Sequence, residues 1–137
     1  MLKIVLDTNV VVSAAVSSDG NPAKIFEMLI AEKIKNYTSE EIINEIKDVM
    51  QREKIRKLLN LQERDFIINN FKEFSEKIIP KIKYEDVLED KKDNKFLECA
   101  VSGKVDYIVS GDEHLLKLKE FKGIKIISPA DFIKIIY

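Results

Sequence analysis

Residues 1–9, MLKIVLDTN, are the stretch from which the fold is predicted. Residues 2–6 are apolar except for Lys3, and such a run is typical of a strand that is covered on both faces. Asp7 follows this run directly, where the strand should end. A charged side chain in such a place needs partners, so we expect other segments of the chain to meet it there.

The composition is that of a globular protein, with 45% hydrophobic and 34% charged residues among 137. This length suits one domain over residues 1–137. No apolar run approaches the ~18 residues of a membrane span, and no signal-peptide pattern is present. The single cysteine, Cys99, cannot form an internal disulfide, and we expect it to be a small buried side chain. These features favour a cytoplasmic protein without a membrane segment.

The net charge of −1 gives no general attraction to nucleic acid. Basic residues do gather in two places, each more typical of a solvated face than of a binding patch. The two groups are Arg52, Lys54, Arg56 and Lys57, and Lys91, Lys92 and Lys95.

Apolar spacing and turn signals predict strands and helices that alternate along the chain. The predicted helices cover 22–33, 52–60, 63–76, 93–102 and 129–136. A further helix is predicted to start at 38–41, and a short one is predicted around 115–118. The predicted strands or short connections are 36–38, 77–80, 105–109 and 124–127, and the charged residues 81–92 are predicted to form a long loop. No helix is predicted over 10–18. The alternation predicts an α/β fold with a parallel sheet and helices on both faces.

Four acidic residues are expected to meet at one edge of this sheet. Asp7 and Asp112 follow predicted strands, whereas Glu45 and Asp93 lie at or near helix starts. In a parallel sheet, strands exit and helices begin at the same edge, where ligands usually bind. At ~4 Å, each pair of like charges costs roughly 4 kcal/mol at an effective dielectric constant of about 20, so protons or cations must compensate. Mg²⁺ and Mn²⁺ prefer carboxylate oxygens, and one or two such ions can bind a phosphodiester and lower the pKa of a water nucleophile.

Each acid also has a purely structural interpretation. Asp93 could cap a helix, and Asp112 could serve a turn or a helix cap. Glu45 could pair with a nearby lysine. Asp7 is the hardest to explain in this way, because a strand end after an apolar run is a poor place for an unpartnered charge. These interpretations do not predict that the four acids share an edge.

Four segments of the sequence resemble the motif regions of the PIN-domain family, in the same order and with the same spacing. The branch that is most similar is that of the VapC-like toxins of toxin–antitoxin systems, and the resemblance covers nearly the whole chain. The segments are IVLDTNV at 4–10, SEEIINEI at 39–46, DNKFLECA at 93–100 and DYIVSGDEHLL at 106–116.

The resemblance implies a three-layer α/β/α sandwich with a central parallel sheet of about five strands. It also implies an Mg²⁺- or Mn²⁺-dependent endoribonuclease that hydrolyses RNA with metal-activated water. A cognate antitoxin and a second copy of the chain in a homodimer are the implied partners. By the same resemblance, Asp7 and Asp93 would be the main metal ligands and Asp112 would complete the coordination. Glu45 would bind metal or orient water.

Further polar residues match supporting positions of the family. Thr8, Asn9 and Ser110 would support the acids through hydrogen bonds. His114 stands where members often carry another acid, which leaves the number of metal ligands open, and Asp90-Lys91 replaces a frequent Asp-Pro. His114 is the only histidine, but its neighbours suit a surface helix turn, so it is not predicted to act as a general base.

Three other functions remain open at this stage. The chain could be a housekeeping RNA-processing nuclease, or a PIN domain that binds RNA or a partner without cleaving. A receiver-type signalling domain is also a small parallel α/β protein with acids that bind Mg²⁺. That fold requires an acidic pair after the first strand, and here Asp7 is followed by Thr8-Asn9.

Overall fold

The fold is built on a six-stranded sheet that is flanked by helices, as described by a computed structural model for residues 1–85, 87–88 and 90–137. The strands are β1 (Lys3–Leu6), β2 (Lys35–Thr38), β3 (Ser75–Lys77), β4 (Tyr107–Val109), β5 (Glu120–Phe121) and β6 (Ile124–Ile127). The helices are α1 (Thr8–Val16), α2 (Asn21–Ile30), α3 (Glu40–Met50), α4 (Glu53–Leu58), α5 (Leu61–Phe74), α6 (Asn94–Gly103), α7 (Glu113–Leu116) and α8 (Pro129–Ile136), and a 3₁₀ turn covers Lys91–Asp93. The predicted α/β class is confirmed.

The strand order is β3-β2-β1-β4-β6-β5, and all neighbours are parallel except β5 and β6. The predicted central sheet of about five parallel strands is therefore confirmed, and one antiparallel edge strand, β5, is added to it. The two-residue strand β5 carries too few residues for an apolar pattern and pairs antiparallel at the sheet edge. In the centre, Leu6 of β1 lies opposite Val109 of β4. The residues that follow these two strands consequently leave the sheet side by side.

The strand β1 lies at the centre of the hydrophobic core, as its continuous apolar run predicts. Ile4, Val5 and Leu6 are at most 1% exposed. The end of this strand is also fixed by a buried side chain of β2, because the Leu6 backbone N–H donates to Oδ1 of Asn36 at 3.0 Å. Asn36 in turn donates from Nδ2 to the hydroxyl of Ser75 at 2.9 Å, which ties three strands together. The backbone that delivers Asp7 is therefore held on both sides.

The main error of the sequence analysis lies directly after β1. No helix was predicted there, but α1 begins at Thr8, one residue after Asp7. The first turns of α1 are rich in valine, a residue with modest helix propensity, and show no clear amphipathic period. Tertiary packing decides the conformation instead, because Val10, Val11 and Val12 are all buried.

Smaller differences concern where elements begin and end. The helix α2 stops at Ile30 rather than at 33, and Glu32 adopts a left-handed φ of 57°. At the end of α6, the left-handed residue is Lys104 (φ 52°), so Gly103 belongs to the helix and does not follow it. In the predicted loop over 81–92, Asp86 and Glu89 lie outside the described residues.

Two further boundaries differ from the prediction. The helix α5 ends at Phe74 and β3 follows immediately, so the predicted strand over 77–80 lies about two residues too late. Strand β4 starts at Tyr107, not at 105. Among the described residues, no helix is both long enough and apolar enough to cross a bilayer.

Candidate active site at the carboxyl edge of the sheet

Asp7 occupies the junction between β1 and α1. Its side chain caps α1, since Oδ1 accepts a hydrogen bond from the Val10 backbone N–H at 2.8 Å. Its own backbone N–H donates to the carbonyl of Val109 at 3.1 Å, which continues the pairing of β1 with β4. Only 2% of the residue is exposed. The carboxylate is thus buried and fixed in position by the backbone of two elements.

Ser110 connects the ends of the two central strands. Its fully buried hydroxyl donates to Oδ2 of Asp7 and accepts from the Asp112 backbone N–H at 2.9 Å. One serine therefore links the acid after β1 to the acid after β4. This hydrogen bond gives Ser110 the position that the family resemblance implies for a supporting residue.

Asp112 caps α7, as its structural interpretation proposes. Oδ1 accepts from the His114 backbone N–H at 2.9 Å. Capping does not account for all of its contacts, because its carboxyl group also lies within hydrogen-bonding range of Asp93. The residue is partly exposed, so its carboxyl group can reach a ligand at this edge.

Asp93 ends the 3₁₀ turn that leads into α6, and its side chain makes no capping hydrogen bond to that helix. The helix-cap interpretation of Asp93 was therefore wrong. Its carboxyl group faces Asp112 instead. Two carboxylates within hydrogen-bonding range of each other require a proton or a cation between them.

The electrostatics of this edge confirm that its negative charges are costly. Burial raises the pKa of Asp7 from 3.8 to about 6, although hydrogen bonds from Ser110 and Val10 lower it and the charge of Asp112 raises it further. Burial also raises the pKa of Asp93 from 3.8 to about 7, and the hydrogen bond and charge of Asp112 add to the shift. Pairs of carboxyl groups with raised pKa values are typical of functional sites.

Glu45 lies on α3 and contacts the same edge through a lysine. Its Oε2 forms an ion pair with Nζ of Lys95, as the structural interpretation of Glu45 proposes. Only 6% of Lys95 is exposed, and its Nζ also donates to the carbonyl of Lys92. The charge of Lys95 lowers the pKa of Asp93. Glu45 is thus connected to the aspartates through one buried cation.

The two other residues implied as supports occupy different environments. Thr8 is 3% exposed, and its Oγ1 has no hydrogen-bond partner in the described part of the chain. Asn9 is exposed in the first turn of α1. His114 is exposed on α7, which agrees with the expected surface helix turn.

Two charged residues of α6 escaped the sequence analysis. Lys95 was grouped with a solvated basic face but is buried, and Glu98 is 4% exposed. Glu98 accepts a hydrogen bond from the Tyr84 backbone N–H at 2.9 Å and so holds the segment that precedes the 3₁₀ turn. The sequence carries no local signal for their burial, because Lys95 and Glu98 lie on the polar side of an amphipathic helix and only the tertiary packing of α6 covers them.

The donors at this edge fit a hard divalent cation by their chemistry. Across residues 1–85, 87–88 and 90–137, no three His, Cys, Asp or Glu side chains are arranged as they stand to hold a metal ion. Asp7, Asp93 and Asp112 nevertheless provide carboxylate oxygens, which Mg²⁺ and Mn²⁺ prefer, and they lack the Cys and His ligands typical of Zn²⁺. Their mutual repulsion would be relieved by positive charge.

Comparisons with known proteins agree with this architecture. The chain is 39% identical over 127 residues to an uncharacterized protein of Methanocaldococcus jannaschii, a match that covers 91% of this chain and 81% of the relative. Its fold is similar to that of a chain in the crystal structure of VapBC2 from Rickettsia felis bound to a DNA fragment from their promoter. That match has a TM-score of 0.62 at 16% identity and covers 93% of this chain and 98% of the other.

The sequence model of the PIN domain matches residues 3–114. This range begins at β1, contains Asp7, Glu45 and Asp93, and ends two residues after Asp112. Because the match spans most of the chain and all four acids, the chain belongs to the PIN-domain family.

Proposed function

We propose that the chain is an Mg²⁺- or Mn²⁺-dependent endoribonuclease formed by one PIN domain over residues 1–137. The observation that supports this most is the convergence of Asp7, Asp93 and Asp112 at the carboxyl edge, where two of the three have raised pKa values. Helix capping alone would not require that charge density.

In the proposed mechanism, the three aspartates would hold the cation, and the surrounding residues orient the aspartates. The Val10 N–H and the Ser110 hydroxyl fix the two oxygens of Asp7 in different directions. Ser110 also fixes the backbone of Asp112. When bound, a divalent cation would supply positive charge to the phosphodiester oxygens and lower the pKa of a water nucleophile.

RNA is the proposed substrate because the family resemblance implies it. The net charge of −1 does not oppose this, since it includes the four acids assigned to this edge, and a bound divalent ion would offset two units of their charge. The remaining surface is accordingly more basic than the total suggests. The region around α4, with Arg52, Lys54, Arg56 and Lys57, is the densest group of basic residues available to a phosphate backbone.

A role as the toxin of a toxin–antitoxin pair belongs to the same proposal, with an antitoxin as its partner and the cytoplasm as its location. The fold similarity to a chain of VapBC2 supports it. A small antitoxin-like reading frame directly upstream would favour this role. A neighbourhood of RNA-processing genes would favour a housekeeping nuclease instead.

Cleavage of a labelled single-stranded RNA with Mn²⁺ tests the enzymatic proposal. The wild type is expected to produce shorter fragments, and Asp7→Asn is expected to abolish them while the circular dichroism spectrum is retained. Glu40→Gln is the matched control, because it removes an exposed carboxylate on α3 whose ion-pair partner is Lys77 of β3, at the flank of the sheet. Unchanged cleavage by Asp7→Asn would contradict the assignment.

The competing functions make different predictions. Membership of the PIN-domain family removes the receiver-type alternative. A PIN domain that binds without cleaving remains a separate hypothesis, and it predicts RNA binding without fragments at any Mn²⁺ concentration. The full set of four acids, including Glu45, favours the active enzyme.

A further inference from the structure

The contact between Glu45 and Lys95 sets this site apart from a simple cluster of four acids. Lys95 is buried on α6, two residues after Asp93, and its Nζ lies against Oε2 of Glu45 from α3. The Glu45 side chain is 27% exposed and that of Lys95 is 6% exposed. Solvent therefore screens this pair far less than it screens the exposed ion pairs of the same molecule.

The lysine is held in place by more than one group. Its Nζ donates to the Lys92 carbonyl as well as to Glu45, and lies 5.2 Å from the centre of the Phe96 ring. An ammonium group has three N–H donors, and these contacts use two of them. The positive charge also acts on Asp93. A fixed cation is thus built into the acidic edge of the protein itself.

We propose that Glu45 serves this site as the counter-ion of Lys95, a positioning residue, and that the cation-binding site consists of the three carboxylates Asp7, Asp93 and Asp112. This inference rests on the proposed function, because it concerns how the chain holds the divalent cation. It replaces the role that the family resemblance implies for Glu45, which is to bind metal or to orient water.

Charge counting shows how the two roles of Glu45 can be separated. Glu45→Gln alone leaves Lys95 uncompensated and weakens cation binding whether or not Glu45 is a ligand. Lys95→Met alone adds net negative charge and strengthens binding in both cases, while its apolar stem keeps its packing. The double variant restores the wild-type net charge. It therefore removes the electrostatic effect and leaves only the loss of a ligand, if Glu45 is one.

The test is calorimetric titration of Mn²⁺ into the wild type, both single variants and the double variant Glu45→Gln/Lys95→Met. We expect the single variants to shift the affinity by about tenfold in opposite directions. The double variant should stay within about tenfold of the wild type, because its net charge is unchanged and no ligand is lost. Loss of a ligand would cost more than the 10–100-fold that is typical of supporting residues. A larger loss in the double variant would overturn the inference.

Two comparisons make the result unambiguous. Glu40→Gln/Lys77→Met removes an exposed ion pair that joins α3 to β3, with N–O distance 2.6 Å, and should leave Mn²⁺ affinity unchanged. Should Glu45→Gln fail to fold because a buried ammonium loses its partner, the double variant still decides the question. A wild type that takes up no Mn²⁺ would overturn this inference together with the proposed function. Normal uptake by the wild type with a loss of more than about tenfold in the double variant would overturn the inference alone.

Discussion

Five parallel strands end at the same edge of the sheet, and a helix with a side-chain cap follows four of them. The two flanking strands lead to serine caps, and the two central strands lead to aspartate caps. The capping oxygens of the four residues accept backbone hydrogen bonds of 2.8–3.4 Å. The caps are Ser39 after β2, Asp7 after β1, Asp112 after β4 and Ser128 after β6.

The comparison shows that capping does not require a carboxylate in this fold. A serine hydroxyl performs the same local task at the flanking strands and carries no charge. At the centre, burial raises the pKa of Asp7 to about 6, and repulsion by the charge of Asp112 adds to the rise. Asp93 joins them without capping any helix. The central acids are thus costly to the fold, which is what a cation-binding site requires.

The largest expected effect on RNA cleavage is the difference between substituting a central cap and substituting a flanking cap. Asp112→Asn keeps a good capping residue but removes a carboxylate, so it should lower the Mn²⁺-dependent rate of RNA cleavage by at least about 100-fold. Ser128→Ala removes only a cap and should leave the rate within about twofold. Initial rates on a labelled RNA give the answer. Equal losses in the two variants would show that the centre and the flank do not differ in function.

A smaller effect is expected from the hydroxyl that joins the two central caps. Ser110→Ala removes the hydrogen bond to Oδ2 of Asp7 and the acceptor for the Asp112 N–H. We expect cleavage to fall by about tenfold, because supporting residues usually have effects of this size. Ser110→Thr keeps the hydroxyl and should recover part of the rate. Full activity of Ser110→Ala would mean that this serine is dispensable for positioning the acids.

The pH dependence of cation binding should also distinguish the centre from the flank. Asp7 and Asp93, with pKa values of about 6 and about 7, must lose their protons to bind a cation. Mn²⁺ affinity should therefore fall by at least about tenfold between about pH 7.5 and about pH 5.5. Calorimetry at the two pH values measures this. A constant affinity would contradict the participation of these two residues.

Stability should change in opposite directions at the two kinds of cap when no metal is added. The folded state raises the pKa of Asp7, so it binds a proton more tightly than the unfolded state, and stability falls as the pH rises from about 4 to about 6. At about pH 7.5 the full penalty applies, and Asp7→Asn should raise the free energy of unfolding by about 1 kcal/mol. Ser39→Ala should lower it by about 1 kcal/mol.

Urea denaturation with a chelator measures both changes. The gain from Asp7→Asn should disappear at about pH 4, where the carboxyl group is protonated in the folded protein and half-protonated in the unfolded protein. A destabilising Asp7→Asn at neutral pH would show that this aspartate is favourable to the fold, as a simple cap would be.

Much of this arrangement could be predicted from the sequence because it depends on where strands end. The apolar run before Asp7 and the strand before Ser110 place their following residues at one edge in any parallel sheet. The helix α1 could not be predicted, because residues 8–16 are held in a helix by burial and show no helical period. The strand β5 is too short to leave a pattern.

The partners of individual charged residues were also beyond prediction. Sequence spacing places Glu45 and Lys95 fifty residues apart, and only the packing of α3 against α6 brings them together. Similarly, Asp93 stands at a helix start that is typical of a cap, but the 3₁₀ turn before α6 directs its carboxyl group to Asp112. Such choices depend on tertiary geometry, which local residue patterns do not contain.

The most direct test of the account is a calorimetric titration of Mn²⁺ into the wild type, Asp93→Asn and Ser128→Ala at about pH 7.5. Asp93→Asn removes an acid that caps no helix, so a loss of binding cannot be attributed to a lost cap. The account predicts saturable Mn²⁺ uptake by the wild type and by Ser128→Ala, and at least about a 100-fold loss of affinity in Asp93→Asn. Equal uptake by all three proteins, or none by the wild type, would contradict it.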